Sequence, residues 1–173
     1  MKELLEIINY PNPILRQKSR EVKKTEVKAP EFLTWLEQLK DTMLEKDGAG
    51  LAAPQAGKNI RAVAVRLDFD SEESILMINP KIVKKSWAKK TEEEGCLSVL
   101  KKDGTIIYAP VCRPEKIVCH YHDYDFNLVK IVAEGLIARA IQHEIDHLDG
   151  IMFTDRISNP KIKKEIEEYY AKN

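Results

Sequence analysis

The chain has 173 residues, of which 43% are hydrophobic, 32% charged and 7% aromatic, enough apolar content for one real core and too much for wholesale disorder. Lys and Arg number 28, and Asp and Glu also number 28, so the formal charge is zero and gives no support to a general nucleic-acid binder. Such a balance still leaves room for a local basic patch.

No apolar run approaches the ~20 residues of a membrane-spanning helix. The segment MKELLEIINYPNPIL carries Glu3 and Glu6 within a short apolar stretch and Pro11 soon after, which is not the pattern of a signal or transit peptide. Cys96, Cys112 and Cys119 are an odd number with no CxxC pair, against a disulfide framework or a Cys-rich zinc module. The expectation is a soluble, cytoplasmic protein in which residues 1–173 form one domain.

Pro11 and Pro13 break the first segment, and ILRQKSREV allows only a short helix before Val22. Residues 30–46 place Leu33, Leu36, Leu39, Met43 and Leu44 at helical spacing, with Pro30 at the start and Gly48 and Gly50 beyond the end. A β-rich middle follows: strands are predicted at 60–68 and 74–83, and as a pair, EKIVCHYHDY and LVKIVAEG, around Asp125, Phe126 and Asn127. A second helix runs from Gly135 through LIARAIQHEIDHLD to Gly150, apolar on nearly all sides of its first half and therefore buried. Residues 160–172 form a terminal helix opened by Pro160. Helices and strands do not alternate, so the class is α+β: antiparallel or mixed sheets packed around a buried central helix, plus a C-terminal helix.

His143, Glu144 and His147 form an HExxH on the buried helix. Four residues advance a helix by a little over one turn, so both imidazoles emerge on one face and can grip one ion, with Glu144 beside them as a proton acceptor. With 4 histidines in 173 residues, a chance match has odds of roughly one in a hundred. Two core histidines satisfied by backbone groups are the plainer reading, but that helix face would bury Glu144 without a partner.

The third ligand decides the class. A metzincin continues HExxHxxGxxH; here Gly150 is in place but the last position is Phe153, which cannot bind metal. A zincin would need a downstream carboxylate such as Glu165 or Glu167, in a helix that reads as a solvated face. Cys96 is the better donor: a thiolate with two imidazoles gives three protein ligands and one open position, although a lone buried Cys is most often a small hydrophobe. The run Gly48 to Gln55 reads either as a helix stop and tight turn or as an accessible backbone edge for an extended peptide. In the second reading the Gln55 amide donates to a substrate oxygen.

GAGLAAPQ, EGCLS and QHEIDHLDG, in this order and at these spacings, closely resemble the three signature motifs of the peptide deformylases, and the likeness runs from NYPNPILR to FTDRIS. The resemblance implies a hydrolase that removes the formyl group from the N-terminal methionine of new polypeptides. It implies Cys96, His143 and His147 as metal ligands, Glu144 as acid and base, and Gln55 with the backbone N–H of Leu97 as oxyanion donors. It implies Fe2+ as the ion, with nickel, cobalt or zinc able to replace it. Ala49, Gly50 and Ala140 are the expected substrate contacts.

Two features depart from the family. Leu100 stands where Pro is usual, and the stretch around Lys101 to Thr105 is longer, which puts substrate preference and rate in question. His120 and His122 share a strand face and resemble a second metal site only weakly; an edge or solvent-facing strand is the stronger reading. The terminal helix, with Lys161, Lys163 and Lys164, reads as solvated; in some relatives it docks on the ribosome near the emerging chain, a role carried here as an expectation. The rival readings are a zincin peptidase and a ribosome-associated binding protein with a vestigial site. The partners expected are formyl-methionyl nascent chains, with no membrane.

Overall fold

The structure, a computed structural model, describes residues 3–172. A five-stranded sheet has the order β1 (Gly50–Ala52), β2 (Ala62–Arg66), β3 (Ser74–Lys85), β6 (Lys116–His122), β7 (Leu128–Glu134), and β4 (Lys89–Glu94) pairs with β5 (Ala109–Pro114) in a second sheet. Every strand pairing is antiparallel. The helices are α1 (Lys24–Val27), α2 (Pro30–Glu45), α3 (Gly135–Leu148) and α4 (Pro160–Ala171).

Strand β2 explains the layering. Successive strand side chains point to opposite faces. Ala62 and Ala64 pack in one cluster with Trp35, Leu36, Leu39 and Met43 of α2, whereas Val63 and Val65 join Ala138, Ile141, Ile145 and Leu148 of α3 in another. The sheet is therefore covered on both faces, and β2 is buried along its whole length. A third cluster joins Cys96, Val99, Val111 and Phe153 to Leu15 and to Ile166 of α4.

Helix α3 is buried over residues 138–148, including Arg139, Gln142, His143, Glu144, Asp146 and His147. It stops where expected: Gly150 has φ +73°, and a Cβ there would lie 2.5 Å from the Arg16 carbonyl oxygen. Only glycine fits.

The predicted helices at 30–46, 135–150 and 160–172 are present with ends within two residues of prediction. The short helix expected in ILRQKSREV is a 3-10 turn over Pro13–Arg16; the next helix begins at Lys24 because Arg20 bridges to Ile60 and the Asn79 side chain binds both backbone groups of Val22. Strand β1 matches the backbone-edge reading of Gly48 to Gln55, whereas β4 and β5 lie outside the predicted strands. The run KKTEEE of β4 has no apolar alternation, and β5 contains Pro110 as its second residue and Pro114 as its last. Strand β6 is interior, not an edge, although His120 and His122 do sit on its less buried face. The terminal helix is only partly solvated, since Ile166, Ile162, Tyr169 and Tyr170 pack on the third cluster.

Candidate metal centre and substrate cleft

Helix α3 and the segment after β4 bring the ligand set together. Donor atoms of Cys96, His143 and His147 all lie within 4.8 Å of one another and are buried. Cys96 Sγ is 3.3 Å from His147 Nε2, and the two imidazoles meet edge to face at 4.9 Å. Glu165 and Glu167 are exposed on α4 and take no part. Phe153, at the third-histidine position of a metzincin, instead stacks on the His143 ring at 6.0 Å.

Glu94 fixes how His143 points. Its Oε2 lies 3.1 Å from His143 Nδ1, which leaves Nε2 for an ion, the usual carboxylate–histidine arrangement around metal ligands. Arg113 grips both Glu94 oxygens, at 2.6 and 2.9 Å, and reaches Asp146 at 2.8 Å; Arg139 adds a further bond to Glu94 at 2.5 Å. Burial works to raise the Glu94 carboxyl, but hydrogen bonds from His143 and Arg113 hold it at about 2. Burial likewise works to lower His143, yet bonds to Cys96 and Glu94 raise it to about 10. Burial pushes His147 well below its ordinary value. The negative field that favours a proton on His143 equally favours a cation beside it. The donor set therefore fits a metal ion, whose binding displaces that proton.

Glu144 is 3% exposed, and its Oε2 is buried with no hydrogen-bond partner among the described residues. Burial pushes its carboxyl up to about 7, near the optimum for a group that both takes and returns a proton. Gly50 makes room for it: a Cβ there would fall 2.5 Å from Glu144 Oε1.

The Gln55 side chain is fully ordered by its neighbours. Its Oε1 accepts from the Ala52 N–H at 2.8 Å, while Nε2 donates to Ser98 Oγ at 3.1 Å and points at Cys96 Sγ at 3.4 Å. A cavity of about 270 Å³ is lined by Ala49, Gly50, Gln55, Cys96, Leu97, Ala140, His143 and Glu144, so every expected catalytic and substrate residue reaches it. His147 does not line the cavity and joins the set from the interior, through its contact with Cys96. Strand β1 is an edge of its sheet, as a peptide-binding backbone requires.

The longer loop is also placed. Leu100 bridges to Ile106 across a turn closed by Lys101 and Thr105, and the turn carries Ile106 and Tyr108 into the cavity wall. Helix α4 holds it, with the Tyr169 hydroxyl accepting from the Lys102 N–H and the Tyr170 hydroxyl donating to the Leu100 carbonyl at 2.8 Å. The roles of Glu94, Arg113 and Arg139 in orienting His143 went unread in the sequence, where EEEG and CRP look like surface charge. The one available signal was the position of Glu94 two residues before Cys96.

Three protein donors leave one coordination position for water or substrate, the count of a catalytic site rather than a structural one. With a buried, unpartnered carboxylate and a fixed amide group on the same cavity, the set has the composition of a metal-assisted hydrolase of amide bonds.

The chain belongs to the polypeptide deformylase family, whose model matches residues 4–163. It is 41% identical to the peptide deformylase of Desulforudis audaxviator, covering 94% of this chain and 99% of that one. It is 40% identical to that of Caldicellulosiruptor bescii, covering 95% of this chain and 92% of the other. Its fold is similar to the actinonin complex of the Synechococcus elongatus enzyme, with a TM-score of 0.86 and 34% identity over 96% of this chain and 88% of that one. It is also similar to the Met-Ala-Ser complex of the Acinetobacter baumannii enzyme, with a TM-score of 0.82 and 32% identity over 91% of this chain and 100% of that one. The chain is thus an α+β hydrolase that removes N-terminal formyl groups from nascent polypeptides.

Proposed function

We propose that Cys96, His143 and His147 hold one ferrous ion, and that Glu144, Gln55 and Leu97 carry the hydrolysis of N-formyl-methionyl chains, with residues 1–173 acting as one catalytic domain in the cytoplasm. When bound, the ion supplies Lewis-acid polarisation and lowers the pKa of a water. Glu144 takes the proton of the attacking water and returns it to the methionine nitrogen as the C–N bond breaks, releasing formate and a free amine. Gln55 Nε2 and the Leu97 N–H donate to the oxyanion that develops on the formyl carbon. The Gln55 amide is preorganised for this because its oxygen is already held by Ala52. Gly50 and Ala49 offer backbone groups to the extended peptide, and Ala140 leaves space for its first side chain.

The observation that carries this reading is the buried, unpartnered Oε2 of Glu144 on the cavity that holds the three donors. Its test is Glu144→Gln. This near-isosteric change should keep a full complement of metal and lower formate release from formyl-Met-Ala-Ser by about 10²–10⁴-fold. Wild-type turnover in a metal-loaded variant removes Glu144 from the mechanism. Elemental analysis of protein purified without oxygen identifies the ion; a soft thiolate beside imidazoles also accepts nickel, cobalt or zinc.

Docking on the ribosome belongs to the same reading. Lys161 and Lys164 remain exposed at the start of α4 and are the positions through which it would act.

A further inference from the structure

The segment KIVKKSWAKK, residues 81–90, crosses from one sheet to the other and has no part in deformylation. Its turn is rigid. Ser86 donates its N–H to the Lys116 carbonyl at 2.8 Å, Glu115 donates to the Ala88 carbonyl at 3.0 Å, and Ser86 Oγ bonds the Ala88 carbonyl at 2.8 Å. With the backbone pinned on both sides, Trp87 is held outward and is 100% exposed. Lys81, Lys84, Lys85 and Lys89 are exposed around it, and none is ion-paired among the described residues, whereas Lys90 and Lys116 are matched by Glu92 and Glu134.

Beneath the turn lies a cavity of about 660 Å³, within the ~300–1,000 Å³ of small-molecule sites, lined by six Lys or Arg side chains and two Asp. Its floor is a different face of α3 from the one bearing the metal ligands, Gln142, Ile145 and Asp146, with Asp149 at the C-cap of the helix. Asp149 is already matched by Arg61 at 2.7 Å, and Asp146 by Arg113 and Arg156 at 2.8 and 2.7 Å. The positive excess therefore belongs to the lysines of the crossover.

We propose that this sheet-to-sheet crossover and the cavity under it bind single-stranded RNA. An aromatic plane held in solvent gives a base a stacking surface, and unpaired lysines spaced along the adjoining strands meet the phosphates. A lipid surface fits less well, because on the segment Val83 alone joins Trp87 as an exposed large apolar side chain, against five exposed lysines. An acidic peptide would satisfy the lysines but leave Trp87 unused. The zero net charge of the whole chain is no obstacle, since phosphate contacts are local.

The test is fluorescence anisotropy of a fluorescein-labelled ten-nucleotide oligouridylate titrated with the full-length protein at about 50 mM salt. Saturable binding is expected, with quenching of the exposed Trp87 rather than of the buried Trp35. Trp87→Ala should weaken binding about 5- to 100-fold, and Trp87→Phe, which keeps an aromatic plane, by less. Replacing Lys81, Lys85 and Lys89 together by Gln should reduce the log–log salt slope by about 2. Formate release from a short formyl peptide should be unchanged in all these variants, so loss of RNA binding is separable from failure of the deformylase reading. The proposal is overturned if wild-type protein shows no saturable binding, or if Trp87→Ala binds as wild type does. Equal or tighter binding to phosphatidylglycerol vesicles or polyglutamate would overturn it as well.

Discussion

Exchanging the sulfur of Cys96 for oxygen alters one atom at the centre of the ligand set and barely changes its packing. A neutral hydroxyl is a far poorer donor to these ions than a thiolate and brings no negative charge. Cys96→Ser should therefore lose most of its metal on dialysis and most of its formate release, while Glu165→Gln, on an exposed face of α4, should match wild type in both. The opposite pattern would return the site to the zincin reading. The residues of this set were legible because each leaves a local mark in the sequence: histidines four apart, small residues around Gly50, a cysteine in a short apolar run. Glu94 leaves only its place two residues before Cys96, and Arg113 and Arg139 leave none. They are 5%, 5% and 6% exposed, yet a charged residue in the sequence carries no sign that it is buried; only the three-dimensional pairing reveals that these orient His143.

At the scale of elements, α2, α3, β3, β6 and β7 could be read because their apolar residues repeat with a single period and bury one or two faces. Strand β4 escaped because it has no apolar stripe and is held by backbone pairing to β5 and by the buried ion pairs of Glu94 with Arg113 and Arg139. Strand β5 escaped because prolines interrupt the short run that buries Ala109 and Val111. Helix α1 escaped for a related reason: at four residues it is too short for periodicity, and its definition comes from Glu26. The Glu26 carboxylate accepts from the Lys23 N–H at 2.9 Å and from both terminal nitrogens of Arg20 at 2.9 and 2.7 Å. Those bonds, the Arg20 pair foremost, lower its carboxyl to about 2. A folded pKa below the ordinary 4.5 means stability that is fully present above pH 4.5 and lost as pH falls through about 2. Glu26→Gln should thus cost less than about 1 kcal/mol at pH 7, because the pair is largely solvated and screened. The difference from wild type should shrink steadily below pH 4.5 in urea melts. A gap that persists unchanged at pH 2 would assign the loss to something other than this carboxylate.

For the molecule as a whole, charge is balanced in two ways that the sum of 28 cations and 28 anions conceals. The crossover at 81–90 concentrates at the surface four lysines, Lys81, Lys84, Lys85 and Lys89, that are not ion-paired among the described residues. In the interior, Glu94, Arg113, Asp146, Arg139 and Arg156 form a single network that ties β4 and β5 to α3 and to the 3-10 turn at Phe153–Arg156. Such a network ties these parts together through charge in addition to the apolar cluster of Val111 and Phe153, and it orients a metal ligand as it does so. Arg113 is its hub, since it alone bonds both Glu94 and Asp146. Arg113→Met keeps the volume and removes the charge, so buried carboxylates lose their main counter-ion. Removing one member of a buried pair typically costs ~3–5 kcal/mol. The lower end is expected here, about 3 kcal/mol, because Arg139 still reaches Glu94 and Arg156 still reaches Asp146. In guanidinium unfolding that cost should appear as a lower midpoint with an unchanged slope, the sign of lost stability without a looser native state. The same variant should hold metal about 10–100-fold more weakly in a chelator competition, because Glu94, freed from Arg113, no longer fixes His143. A variant that loses stability but keeps wild-type metal affinity would make Arg113 a structural tie alone, leaving Arg139 to position Glu94.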